Sequence, residues 1–190
     1  MSEEPLKPSS FEVLGPVLDP ECQLAVNAAA EALAAKLTPA QMELLKQFRI
    51  RFFKSDEKRG SHVDFENKEI VCNSDDAMMS LQQSEDYLVE QGIIESGDTI
   101  NLLPDIKDQP WSTLTSELVH ESGHILDKLS GGDSYSRLDP KFSPTKYGSE
   151  EPHEAFAEAF RFYVFGAADR LSPEALKAVE DTIHHNWGEL

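Results

Sequence analysis

The sequence predicts an α+β fold: a small mixed sheet and a long helix come first, and a helical lobe closes the chain. Three observations carry this. There is an alanine-rich helical run near the amino terminus, a set of short β-branched and aromatic runs between residues 49 and 72, and strongly periodic helical segments from residue 111 onward. Taken in order, residues 1–10 hold Pro5, Pro8, Ser9 and Ser10 among charges and read as a flexible lead-in, with order beginning near Phe11. Asp19-Pro20 then gives an acidic cap and a first-turn proline to the run CQLAVNAAAEALAAKL, whose alanines favour a helix as far as Leu37. Thr38-Pro39 repeats the start signal, and Met42, Leu44, Leu45 and Phe48 make the apolar face of a second helix. Residues 49–53, 62–65 and 69–72 read as strands of a small sheet, with Asn67-Lys68 as a hairpin turn. A helix is expected over 75–91, ended by Gly92, and one more strand over 99–103, closed by Pro104. Helical patterns then cover 111–129, 152–165 with Pro152 in the first turn, and the stretch opened by Ser172-Pro173-Glu174, where Leu176, Val179 and Ile183 form a face. The connection over 132–149 is longer than most loops, which implies a role beyond connecting.

At 190 residues the chain can bury a real core, and roughly 150 residues per domain implies one domain, over 11–190. Within it, 11–130 is expected to supply the sheet and the active-site helix, and 131–190 the helical lobe. The charge balance is the unusual quantity: 35 acidic against 17 basic side chains, a formal charge of −18. An acidic surface is repelled by phosphate backbones and gains nothing from counterion release, which excludes nucleic acid as a partner. The same field attracts cations and basic or neutral peptides, or serves only to keep the protein soluble. Cys22 and Cys72 are too few for a disulfide framework and sit in no metal-binding spacing, so two inert thiols are expected. The amino terminus lacks a basic then apolar signal pattern, and no stretch approaches the roughly 18 apolar residues that span a bilayer. A cytoplasmic monomer without membrane contact is expected, or one exported without a recognisable signal peptide.

The chemistry concentrates in the second half. His120-Glu121-Ser122-Gly123-His124 places two histidines four apart inside a predicted helix, one above the other on one face. Two such imidazoles can reach a single ion at about 2.0–2.1 Å. Glu121 lies beside that face, placed to take a proton from water without binding the metal. Zinc suits such a site because it accepts nitrogen and oxygen ligands in a tetrahedron and keeps a position for water. One protein ligand is still lacking. Glu150, Glu151, His153, Glu154 and Glu158 are all near enough in sequence to supply it. Spacing alone does not choose among them; periodicity favours the pair Glu154 and Glu158, which share a helical face, one as ligand and the other as acceptor for a ligand histidine N–H, while Phe156, Phe160 and Tyr163 anchor the helix on another side.

Two blocks, HESGHILD from His120 to Asp127 and KYGSEEPHEAFAEAF from Lys146 to Phe160, resemble the gluzincin metallopeptidases. The likeness is greatest to the catalytic domain of anthrax lethal factor and its small relatives, the Pro-Pro endopeptidases. The second block is the more restrictive, and the likeness covers about the carboxy-terminal third to two fifths of the chain. It implies a zincin-like fold and a single catalytic Zn2+ held by His120, His124 and Glu154. It also makes Glu121 the general base, Glu158 the second acid beside the ligands, and Tyr147 a hydrogen-bond donor to the oxyanion. A phenol aimed at developing charge can lower a barrier by several kcal/mol; the alternative is a tyrosine that packs the loop onto the core. Ser122 and Ala155 depart from the family, which often has a bulky apolar residue and an aromatic there. The interval from His124 to Glu154 is also shorter than in lethal factor.

Other features carry less. Asp127 is expected to support the active helix through hydrogen bonds. His184-His185 are adjacent and diverge on a helix, so they read as surface; His62 reads as core or surface rather than cleft, and Trp187 as a cap on the last helix. The leading expectation is an endopeptidase acting on a peptide or protein substrate that lies along an edge strand. Two alternatives stand beside it: a non-catalytic zinc-binding module, and a regulatory peptidase specific to one cytosolic partner.

Overall fold

The structure, a computed structural model, describes residues 11–15, 20–54, 60–130 and 138–185. The flexible lead-in expected at 1–10 and the capping role of Trp187 lie outside these residues. Helix α1 (Pro20–Ala34) forms where the alanine run predicts it and buries a stripe of Cys22, Ala25, Val26, Ala29, Ala30 and Leu33. It ends three residues short of Leu37. Helix α2 (Pro39–Leu45) is started by a capping box in which the Thr38 hydroxyl accepts from the Gln41 amide while the Gln41 side chain accepts from the Thr38 N–H. The remaining amide hydrogens of Gln41 reach the carbonyl of Ile183 at 2.6 Å, which fastens this short helix to the end of the chain.

Three strands follow: β1 (Arg49–Phe53), β2 (His62–Asp64) and β3 (Glu69–Asn73), in the order β1-β3-β2, with β1 parallel and β2 antiparallel to β3. The sheet is therefore small and mixed. The hairpin turns at Asn67-Lys68 as its composition implies: Lys68 takes a left-handed φ of 52°, and the Asp64 carboxylate accepts from the Asn67 N–H and side-chain amide. β3 is buried along its whole length. The outer edge of β1 is covered by residues 12–14, since Ile50 N–H donates to Glu12 and Leu14 N–H donates to Ile50. Among the described residues no strand pairs with the outer edge of β2.

Two expectations fail here. Residues 75–91 are two helices, α3 (Ser74–Ala77) and α4 (Leu81–Glu90), because Ser80 takes extended backbone and starts a new capping box with Gln83. The strand expected over 99–103 is instead a 3-10 turn, Ile100–Leu102. Its amides do not seek a sheet partner because one buried carboxylate, Glu85, accepts from the N–H groups of Gly97, Thr99 and Ile100 and from the Thr99 hydroxyl.

The long helix α5 (Ser112–Leu129) is buried on nearly every side, and it packs most extensively against α6 (Pro152–Val164) and α1. The contact with α6 is close because Gly123 has no Cβ: one placed there would lie 3.0 Å from Phe160 Cδ1 and 3.2 Å from Ala157 Cα. Phe156, Phe160 and Phe162 of α6 are fully buried, and α7 (Pro173–Ile183) covers the far side, capped by Ser172. One hydrophobic cluster runs from Phe11 to Ile183. No helix among the described residues is long and apolar enough to cross a membrane.

Candidate metal centre

Because α5 and α6 lie so close, the histidines of one and a carboxylate of the other meet. His120 Nε2 is 3.0 Å from Glu154 Oε2 and 3.2 Å from His124 Nε2, and His124 Nε2 is 3.6 Å from the same Glu154 oxygen. Ligands held at about 2.0–2.1 Å in a tetrahedron lie roughly 3.3 Å from one another, so these spacings are those of a three-ligand metal site. Among the described residues this is the one group of three His, Cys, Asp or Glu whose ligand atoms all lie within 4.8 Å of each other. It can hold a metal ion.

The second coordination layer is present as well. His120 Nδ1 lies 2.7 Å from Glu158 Oε1; with Nδ1–H donating there, the lone pair of Nε2 points to where the other ligands converge. Glu158 is nearly inaccessible, and its other oxygen accepts from the Thr145 hydroxyl at 2.8 Å and from Arg161 Nη2 at 2.6 Å. Arg161 Nη1 in turn donates to Ser116 of α5.

Electrostatics separates the acids by role. Burial alone would lower the ionisation of His120, but its hydrogen bonds with Glu154 and Glu158 outweigh this and push it up to about 10. Burial likewise opposes the charge on Glu154, yet the two histidines hold it well below the usual carboxylate range. Glu121, 5% exposed and outside the ligand set, is pushed by burial up to about 7, the Glu154 charge adding to this and His120 opposing it. A carboxyl that changes state near neutrality suits a general base. His124 is shifted down, chiefly by burial.

Tyr147 opens a 3-10 turn, Tyr147–Ser149, with its ring 6.2 Å from that of His120. Burial, then the charges of Glu154 and Glu158, drive its phenol above the ordinary tyrosine range, so it remains a donor. Its turn is seated by Thr145, whose hydroxyl accepts from Gly148 N–H, and by Gly148 itself, where a Cβ would fall 2.9 Å from Glu158 Cγ and 3.2 Å from Ala155 Cα. A second 3-10 turn, Pro140–Phe142, precedes it, and both turns pack against α6 and against each other.

The remaining candidates are placed as follows. Glu150 and Glu151 are exposed. His153 stands outside the ligand group, its ring 5.5 Å from that of His124 and its Nε2 3.1 Å from Glu151 and 3.4 Å from Glu154. Asp127 is buried; its carbonyl accepts from Ser130, and its charge raises the ionisation of His124. His62, His184 and His185 are exposed, and Cys22 and Cys72 are buried free thiols.

A cavity of about 550 Å³ opens beside the centre, bounded there by His120, Glu121 and Tyr147. It also reaches Glu117, one turn before Glu121 on α5, a residue sequence reasoning passed over although its i,i+4 spacing from Glu121 was visible. Arg161, Thr145 and Ser116 were missed too. Of these only Arg161, three residues after Glu158 on one helix, left a signal in the sequence. Comparison with protein-family models, with curated proteins and with solved structures gives no match.

Proposed function

We propose that this chain is a zinc-dependent endopeptidase of zincin-like fold, akin to the gluzincins its two sequence blocks resemble, acting as a monomer on peptide or protein substrates. The observation that carries the reading is the convergence of three ligand atoms at tetrahedral spacing beside a buried carboxyl that is not itself a ligand. His120, His124 and Glu154 would hold the zinc, which when bound supplies Lewis acidity toward water and carbonyl oxygen. Glu121 takes the proton of the attacking water and hands it to the leaving amine. Tyr147 donates to the carbonyl oxygen as charge develops on it. Glu158 holds His120 in the tautomer that leaves Nε2 free. The edge of β2, which no described strand pairs with, offers backbone groups to an extended peptide, and Gly60 and Ser61, just before that strand, line the cavity. A purely structural zinc site would need a fourth protein ligand, and the described residues bring only three together.

The test is Glu121→Gln. Zinc content measured by mass spectrometry should stay at one equivalent, while cleavage across a peptide library falls by about 10²–10⁴-fold. Retained cleavage would remove Glu121 from the mechanism, and wild-type protein that cleaves nothing with zinc bound would remove the peptidase reading.

A further inference from the structure

Tyr147 stands on a turn of only three residues, Tyr147–Ser149, and a 3-10 turn this short does not fix its own orientation. Its two preceding neighbours anchor it. Thr145 accepts from the Gly148 N–H and donates to Glu158 of α6. Lys146 reaches a part of the chain 54 residues earlier, where its amine donates to the Gly92 carbonyl at 2.6 Å.

The end of α4 is built to receive that amine. Gly92 takes a left-handed φ of 72°, and its N–H and that of Ile93 turn back to the carbonyls of Val89 and Leu88, which closes the helix and leaves the Gly92 carbonyl outside its ladder. The last turn of α4 has no basic side chain of its own, so Lys146 supplies the positive charge that the carboxy-terminal end of a helix favours. The same lysine is held a second time through its backbone. The Asp98 carboxylate accepts from the Lys146 N–H and, at 3.0 Å, from the Glu95 N–H. The segment that makes these contacts is itself fixed, since Glu85 accepts from the N–H groups of Gly97, Thr99 and Ile100.

A turn held from one element can pivot about that hold; held from two, it cannot. Ile93, Ile94 and Thr99 line the same cavity as Tyr147, His120 and Glu121, so the segment that holds Lys146 borders the space in which the tyrosine would act. We infer that Lys146 and Asp98 are positioning residues for Tyr147, latching its turn to the end of α4 and to residues 92–98 so that the tyrosine ring stays beside His120. Neither residue has to touch the reacting atoms. The catalytic consequence rests on the peptidase reading, whereas the latch itself does not require turnover.

Two measurements on the full chain separate these. The variants are Lys146→Met, which keeps the apolar stem, Lys146→Arg, which keeps the charge, and Asp98→Ala; circular dichroism and metal content confirm that each is folded and loaded. The first measurement needs no turnover. With cobalt(II) in place of zinc, the paramagnetic relaxation of the Tyr147 ring signals, assigned by their loss in Tyr147→Phe, reports how near the ring stays to the metal. It should weaken in Lys146→Met and Asp98→Ala and be retained in Lys146→Arg. The second is a double-mutant cycle on peptide cleavage by the zinc-loaded protein. Lys146→Met and Asp98→Ala should each lower kcat by about tenfold with KM unchanged, on the scale that misplacing a catalytic group costs, and Lys146→Arg should stay near wild type. In a Tyr147→Phe background neither should lower kcat further, because their effect passes through the phenol. Ring signals unmoved in either variant, or a loss of kcat as large without the phenol as with it, overturns the inference and leaves the peptidase reading intact. Displaced ring signals in a zinc-binding protein that cleaves no peptide sustain the latch and overturn the peptidase reading.

Discussion

Replacing Gly123 with alanine sets two known effects against each other. Alanine in a helix interior is favoured over glycine by about 1 kcal/mol, so a free helix would gain stability. In this structure the new methyl would stand 3.0 Å from Phe160 Cδ1 and 3.2 Å from both Phe160 Cβ and Ala157 Cα, where ordinary contact begins at 3.4 Å. Ala157 offers backbone, which cannot rotate aside, and Phe160 is fully buried, so α6 must retreat by a few tenths of an ångström. Overpacking of this kind costs about 1–3 kcal/mol, which exceeds the gain in helix propensity. We expect Gly123→Ala to lose about 1 kcal/mol in urea denaturation of the metal-free protein, and about 2–4 °C in Tm. The larger effect falls on the metal centre. Glu154 lies one turn before Ala157 on the displaced helix, so zinc affinity, read by competition with a chromophoric chelator, should fall by at least about tenfold. A variant as stable as wild type that holds zinc equally well would refute the claim that this close approach sets the ligand spacing.

Glu158→Gln should weaken zinc binding by about 10–100-fold in the same competition assay, because an amide oxygen is a poorer acceptor for His120 Nδ1–H and leaves Arg161 without its counter-charge. Tyr147→Phe should leave zinc affinity unchanged and lower kcat by about 10²–10³-fold; a fall in KM with no change in kcat would count against an oxyanion role. Glu85→Gln should cost about 2–3 kcal/mol at pH 7 by chemical denaturation. Burial acts to raise the Glu85 ionisation, but its bonds from Thr99, Gly97 and Ile100 outweigh this and hold it below the ordinary value of 4.5. A carboxylate lowered in the folded state stabilises fully above its unfolded value and loses that contribution as pH falls through the folded one. The gap between wild type and Glu85→Gln should therefore be full at pH 6–7 and shrink steadily below about pH 4.5; a gap constant from pH 7 to pH 3 would contradict this.

What the sequence revealed followed from how local each cause is. Helices α5 and α6 were legible because apolar spacing repeats over several turns, and the pairs His120/His124 and Glu154/Glu158 because each shares a helical face; which of the two acids would complete the site came from the family resemblance and not from spacing. The break between α3 and α4 escaped because Asp75 to Gln91 reads as one helical pattern; the interruption depends on Ser80 turning outward to cap Gln83. The strand expected at 99–103 failed for a less accessible reason: its amides are taken by Glu85, fourteen residues earlier than Thr99, and nothing in a β-branched run announces a distant carboxylate. Gly123 shows the same limit in the site itself. Within H-E-x-x-H it passes as a spacer, and only the position of Phe160 and Ala157 makes the missing side chain a requirement.

Glu158 binds three things at once: the ligand histidine of α5, the Thr145 hydroxyl that seats the Tyr147 turn, and the arginine that reaches back to Ser116. Fluctuations of these parts are consequently not separate events. Releasing the turn withdraws a bond from the carboxylate that orients His120, and loosening His120 weakens the hold on the turn. The centre and its loop thus form one cooperative unit of local unfolding, and amides on both should exchange with solvent at a common free energy. Paired substitutions at Thr145 and Ser116, which never touch, should then cost less together than the sum of their separate effects, with the shared carboxylate as the carrier of the coupling.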